Sequence, residues 1–118
     1  MNANEHNSNL HIIQWNAHSL NNCQFDLKIA IYTTKPHIVV IQETWLKTKN
    51  KTPSFESYDV LRLDRDIRRG RDREGYGGLM MLVRKDLNYS IKKFNPFNNG
   101  ILEIQAITIK SKSQDRYC

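Results

Sequence analysis

Leu10-His11-Ile12-Ile13-Gln14-Trp15-Asn16-Ala17-His18-Ser19 opens as a short β-rich run and breaks into turn residues. It predicts a first strand over Leu10 to Trp15. From about Asn21 to Thr34 the apolar spacing lengthens. Cys23, Leu27, Ala30 and Ile31 fall on one helical face, with Asp26 in the first turn and Lys35 at the end. Pro36 stops that helix, because the residue before a proline disfavours helical backbone. Ile38-Val39-Val40-Ile41-Gln42-Glu43 follows without a polar break before Gln42, as a strand buried on both faces reads. Strand, helix, strand is a βαβ unit, so the two strands are parallel and the crossover right-handed.

Outward from this unit, Thr44 to Ser57 is a polar surface loop carrying Lys47, Lys49, Lys51 and Pro53. Tyr58 to Leu63, Gly77 to Arg84, Tyr89 to Phe94 and Ile101 to Ile109 read as further strands. Between them lie a charged loop, Asp64 to Tyr76, and two turns, Lys85 to Asn88 and Asn95 to Gly100. The predicted class is α/β, a mixed β-sheet with a βαβ start and a covering helix. A polar tail, 1–9, precedes one domain, 10–118.

The length of 118 residues supports one domain. No run approaches the ~18 apolar residues of a membrane span, so no membrane partner is expected. Met1 to Asn9 lacks the basic start and apolar stretch of a secretory leader. Two cysteines, Cys23 and Cys118, form no CxxC pattern or Cys/His cluster, which argues against zinc and a disulfide framework. Eighteen basic against twelve acidic residues give a net charge of +6. Such a balance attracts polyanions, nucleic acid first, and equally keeps a small protein soluble.

In a parallel pair both strand C-termini reach one edge of the sheet, where ligands of α/β folds bind. Asn16 follows strand one and Glu43 follows strand two. A carboxylate there can hold Mg²⁺, which takes one or two protein oxygens and keeps waters and substrate phosphate. An amide beside it can bond a phosphate oxygen or orient the carboxylate. On position alone a second reading stands, with Asn16 a turn residue and Glu43 a solvated loop carboxylate.

Gln14-Trp15-Asn16-Ala17-His18-Ser19-Leu20 and Ile41-Gln42-Glu43-Thr44-Trp45-Leu46 set Asn and Glu 27 positions apart, and Gly77-Gly78-Leu79-Met80-Met81-Leu82-Val83-Arg84 follows an arginine-rich loop. Together these strings resemble the endonuclease/exonuclease/phosphatase superfamily. More narrowly, they resemble the apurinic-type endonuclease domain of non-LTR retrotransposons, of which "QETWL" is typical. The resemblance covers about Leu10 to Ile109. It implies a four-layered α/β sandwich with a divalent-metal site at one rim, and hydrolysis of DNA phosphodiester bonds with Mg²⁺ or Mn²⁺. Glu43 matches the metal-binding glutamate, Asn16 the phosphate-side or metal-side asparagine, and Gly77 and Gly78 the glycine pair. Tyr76 stands where many members have a third glycine, and His18 where relatives often show arginine. The family's later tyrosine, its Asp-x-Asn pair and its closing Ser-Asp-His are not matched. The chain therefore resembles the N-terminal half of the domain; set against that sandwich it supplies the strands of about one sheet, which leaves one apolar face without a partner, and it lacks the general base, worth ~10²–10⁴ in rate. By itself it is expected not to cut. The natural product would continue into a C-terminal half-domain and a reverse transcriptase, intracellular and nuclear when acting on DNA.

Arg62 to Arg73 holds six arginines interleaved with acids. Arg68, Arg69 and Arg71, with His18, Lys47 and Lys49, are candidate phosphate contacts; a self-paired surface loop is the competing reading. Trp15 and Trp45 read as packing residues, and Glu103 as a charge on an exposed strand face with a supporting role at the site as the lesser alternative. Two other functions compete, a non-catalytic nucleic-acid-binding remnant and a small-molecule or lipid phosphodiesterase of the same superfamily.

Overall fold

The computed structural model describes residues 9–64, 77–93 and 103–110. Arg68, Arg69, Arg71, Tyr76, the 1–8 part of the tail and the turn at 95–100 lie outside them. The elements run β1 Ile12–Asn16, α1 Leu20–Thr34, β2 Ile38–Gln42, β3 Tyr58–Leu63, β4 Leu79–Arg84, β5 Tyr89–Lys92 and β6 Ala106–Ile109. Four strands form a mixed sheet in the order β1-β2-β4-β3. β1 and β2 are parallel, with Ile12 opposite Ile38 and Asn16 opposite Gln42. β4 is antiparallel to both β2 and β3.

Both faces of β2 and β4 are apolar, and each face has its own cover. Val39, Ile41, Met80 and Leu82 pack with Leu20, Leu27 and Ile31 of α1. Ile38, Met81 and Val83 face the other way, against Tyr89, Ile107 and Ile109. Those last three belong to a second, two-stranded antiparallel sheet, β5-β6. This corrects the single-sheet expectation. Tyr89, Ile107 and Ile109 alternate with Ser90, Thr108 and Lys110, a pattern that buries one side only and suits an outer layer. Tyr89 Oη donates to Asp59 Oδ2 at 2.9 Å and Gln105 Nε2 to Leu61 O at 2.9 Å, which tie the outer layer to β3.

Three local expectations shift. The helix begins at Leu20, so Asp26 sits in its second turn, and Ala30 is exposed while Leu20 is fully buried. The helix has a break at Cys23, whose Sγ donates to the carbonyls of Ala17 and Ser19 at 3.4 and 3.3 Å. Burial, and then Asp26, push that thiol's pKa up. The last strand begins at Ala106 among the described residues, because Glu103 and Gln105 spend their side chains on the first sheet.

Candidate functional site

Where the parallel pair ends, the backbone of three chain segments knits into one rim. Beyond β1, Ala17 N–H donates to Gln42 O at 2.8 Å, Ser19 N–H to Glu43 O at 3.0 Å and Leu20 N–H to Thr44 O at 2.9 Å. The first amide of α1, Leu20 N–H, is thus satisfied by a carbonyl of the segment just past β2, and Ser19 makes no side-chain cap. On the other side, Thr44 N–H donates to Gly78 O at 3.3 Å and Trp45 N–H to Gly77 O at 2.9 Å.

This rim concentrates unusual backbone. His18 (φ 47°), Ser19 (86°), Glu43 (57°) and Trp45 (56°) are left-handed, as are Gly77 (73°) and Gly78 (92°). Elsewhere among the described residues only Lys35 and Ser57 have positive φ. Each such non-glycine residue costs on the order of 1 kcal/mol or more and persists only where its surroundings enforce it.

Asn16 is exposed at the end of β1, and Glu43 lies one residue past its register partner Gln42. Glu43 is half-buried, and its Oε1 accepts the Trp45 indole Nε1–H at 2.6 Å. The His18 ring stands edge-on to Trp45, centroids 5.6 Å apart. So Asn16, His18 and Glu43 share one edge, and Trp45 is half-buried there as a holder of Glu43. Lys47 and Lys49 are exposed in the following loop.

Against that loop, Arg62 follows the self-paired reading of the charged segment and not the phosphate-contact one. Its guanidinium grips Asp64 at both oxygens, 2.8 and 2.9 Å, and Nη1 also donates to Asn50 O at 2.7 Å and Thr52 Oγ1 at 3.0 Å. Its side chain is only 13% exposed. The sequence does contain one Asp-x-Asn string, Asp86-Leu87-Asn88, contrary to the expectation that none occurs. It is the turn at the opposite end of β4 from Gly78, where Asp86 accepts Arg84 Nε–H at 2.9 Å. A cavity of about 780 Å³ also lies at that far end, between the end of α1 and Phe55, Tyr58 and Arg84.

Sequence reasoning set Glu103 first on an exposed strand face and offered a supporting role at the site only as the lesser alternative. It is half-buried at the rim, and it accepts the Gly78 N–H at Oε1 (3.1 Å) and Oε2 (3.4 Å). The available signal was a carboxylate inside the apolar run Ile101 to Ile104. Among the described residues, no three His, Cys, Asp or Glu side chains stand together as metal ligands.

No protein-family model and no curated protein matches this sequence. Solved structures do match its fold. AP endonuclease LMAP from Leishmania major aligns at a TM-score of 0.58 and 17% identity, over 70% of this chain and 27% of that one. The APE2 catalytic domain of Xenopus laevis aligns at 0.55 and 18%, over 71% and 26%. The chain thus spans about a quarter of the length of these structures and carries part of their α/β fold.

Proposed function

We propose that the chain is a portion of a divalent-metal-dependent DNA endonuclease of non-LTR retrotransposon type, which hydrolyses phosphodiester bonds. The carrying observation is the Glu43 carboxylate, fixed by the Trp45 indole on a left-handed residue at the edge that Asn16 shares. Two features support it, the likeness of fold to AP endonucleases and the +6 charge. The donor set fits Mg²⁺ or Mn²⁺ in a wet site. Glu43 offers its second oxygen and Asn16 an amide oxygen, and such ions keep their other ligands as water and substrate phosphate. A bound ion would neutralise charge growing on the phosphodiester oxygens. Asn16 and His18 would donate to a phosphate oxygen. Lys47, Lys49, Arg68, Arg69 and Arg71 would supply sequence-blind attraction.

The unmatched general base favours a second reading for the chain by itself, a piece that binds nucleic acid without cutting it. In the intact product, tail 1–9 and domain piece 10–118 would continue into the remaining half-domain and a reverse transcriptase, working in the nucleus. The test is a Mn²⁺ titration by electron paramagnetic resonance beside a plasmid-nicking assay. Weak Mn²⁺ binding that Glu43→Gln removes is expected, with no nicking. An unchanged titration in Glu43→Gln would overturn the site. Metal-dependent nicking lost in Glu43→Gln would show that the chain cuts without the rest of the domain. DNA binding should weaken steeply with salt, by a log–log slope of about −0.9 per phosphate contact. Replacing Arg68, Arg69 and Arg71 by Ala should flatten that slope.

A further inference from the structure

Glu103 reaches the rim from the second sheet, three residues before β6. Its carboxylate takes the N–H of Gly78, a buried residue whose carbonyl is already engaged by Thr44. From there the contacts run without a gap. Gly78 O accepts Thr44 N–H, Gly77 O accepts Trp45 N–H, and the Trp45 indole donates to Glu43 Oε1. Two consecutive glycines with positive φ have the widest conformational choice of any dipeptide, so nothing local fixes them. A carboxylate on a backbone N–H is among the stronger hydrogen bonds available to do so.

We infer that Glu103 is a positioning residue for Glu43, acting through Gly78, Gly77 and Trp45. The inference rests on the reading of Glu43 as the site's carboxylate. It also gives the outer layer a task beyond packing, because the segment leading into β6 sets the geometry of the edge formed by β1 and β2.

The experiment uses nuclear magnetic resonance on the isotopically labelled full chain, with the Trp15 indole as internal control. A scalar coupling across the hydrogen bond from Gly78 N to the Glu103 carboxyl carbon is expected in the wild type, and its absence overturns the proposal without any substitution. In Glu103→Ala the Trp45 indole N–H should move toward its position in Glu43→Ala while Trp15 stays. Glu103→Gln keeps an oxygen acceptor and should return Trp45 toward the wild-type position. The Mn²⁺ concentration that broadens Trp45 should rise about tenfold or more in Glu103→Ala, as when an outer partner of a metal ligand is lost. A Trp45 resonance unmoved in Glu103→Ala, or moved only together with Trp15, overturns the inference. If Mn²⁺ broadens nothing in the wild type, the metal reading fails, and the indole shift still decides whether Glu103 positions Glu43.

Discussion

A Cβ built on Gly78 would lie 2.4 Å from Thr44 Oγ1, and the residue's φ is +92°. Gly78→Ala therefore meets two costs, a left-handed backbone and a collision with a fully buried neighbour. The expected loss is about 2–4 kcal/mol in urea unfolding. Thr44→Ala removes the colliding oxygen, so the double variant should be less destabilised than the sum of the two singles. Strict additivity would show that the clash is not the cause. At this scale the sequence was partly legible. The position of Asn16 and Glu43 at one edge could be read because each ends a run of strand residues, and the parallel pairing sends both there. Glu103 entered only as a lesser alternative for a supporting role, with no partner named. Its partner is a backbone N–H 25 residues away, and a side chain bonded to backbone leaves no mark on the partner's identity. Arg62 stayed open between phosphate contact and self-pairing for the converse reason. It shares a charged segment with Arg68 and Arg71, and only the fold shows that carbonyls of the preceding loop already occupy it.

The elements β1 to β4 and α1 were legible because the apolar period changes cleanly from two to 3.6 and back, with Pro36 as the stop. The start of the β1-β2 ladder adds a pH response. His37 Nδ1 accepts the His11 N–H at 3.0 Å, and His37 N–H donates to His11 O at 2.9 Å. The His37 pKa is lowered from 6.5, chiefly by burial, with Arg84 and His11 adding to the effect and Asp86 opposing it. Just below pH 6.5 the unfolded chain then binds more protons than the folded one, so stability rises with pH. The urea midpoint should fall on acidification from about pH 7 to 5. In His37→Gln, which keeps an acceptor that does not titrate, this part of the fall should vanish; an unchanged pH profile would count against it. The loop after β2 depends on Arg62 in the same way that the ladder depends on His37. Arg62→Ala leaves Asp64 and three loop acceptors, Lys47 O, Asn50 O and Thr52 Oγ1, without their donor, and should cost about 2–3 kcal/mol in urea unfolding. Arg62→Lys should recover little of it, since an ammonium cannot reproduce the planar fork. Full recovery with Lys would mean that charge alone matters.

For the molecule as a whole, the second sheet changes what can be expected of the chain in solution. Both apolar faces of β2 and β4 are covered, one by α1 and the other by β5-β6. The sequence hid this because the strands that make the cover follow the others without a change of composition. The single-sheet expectation, with several hundred Å² of wet core, therefore overstates the exposed surface, and one cooperative unfolding transition is expected. What stays open is the flank. β1 is an edge of the four-stranded sheet, paired only with β2 among the described residues, and Leu10 and Ile12 there are 41% and 56% exposed. An uncharged edge with an exposed isoleucine is a template for pairing with a second copy. Phe25, Ile29 and Tyr32 form a separate exposed stripe on α1, spaced four and three residues apart. A stripe of side chains offers apolar contact without backbone hydrogen bonds, whereas the edge offers both. Concentration-dependent association should therefore run through β1. Ile12→Lys puts a charge on that edge and should shift the chain to monomer in size-exclusion light scattering. Because Ile12 is exposed, its stability should change by no more than about 0.5 kcal/mol. If Ile12→Lys associates like the wild type while Phe25→Lys is monomeric, the helix stripe and not the strand edge is the contact.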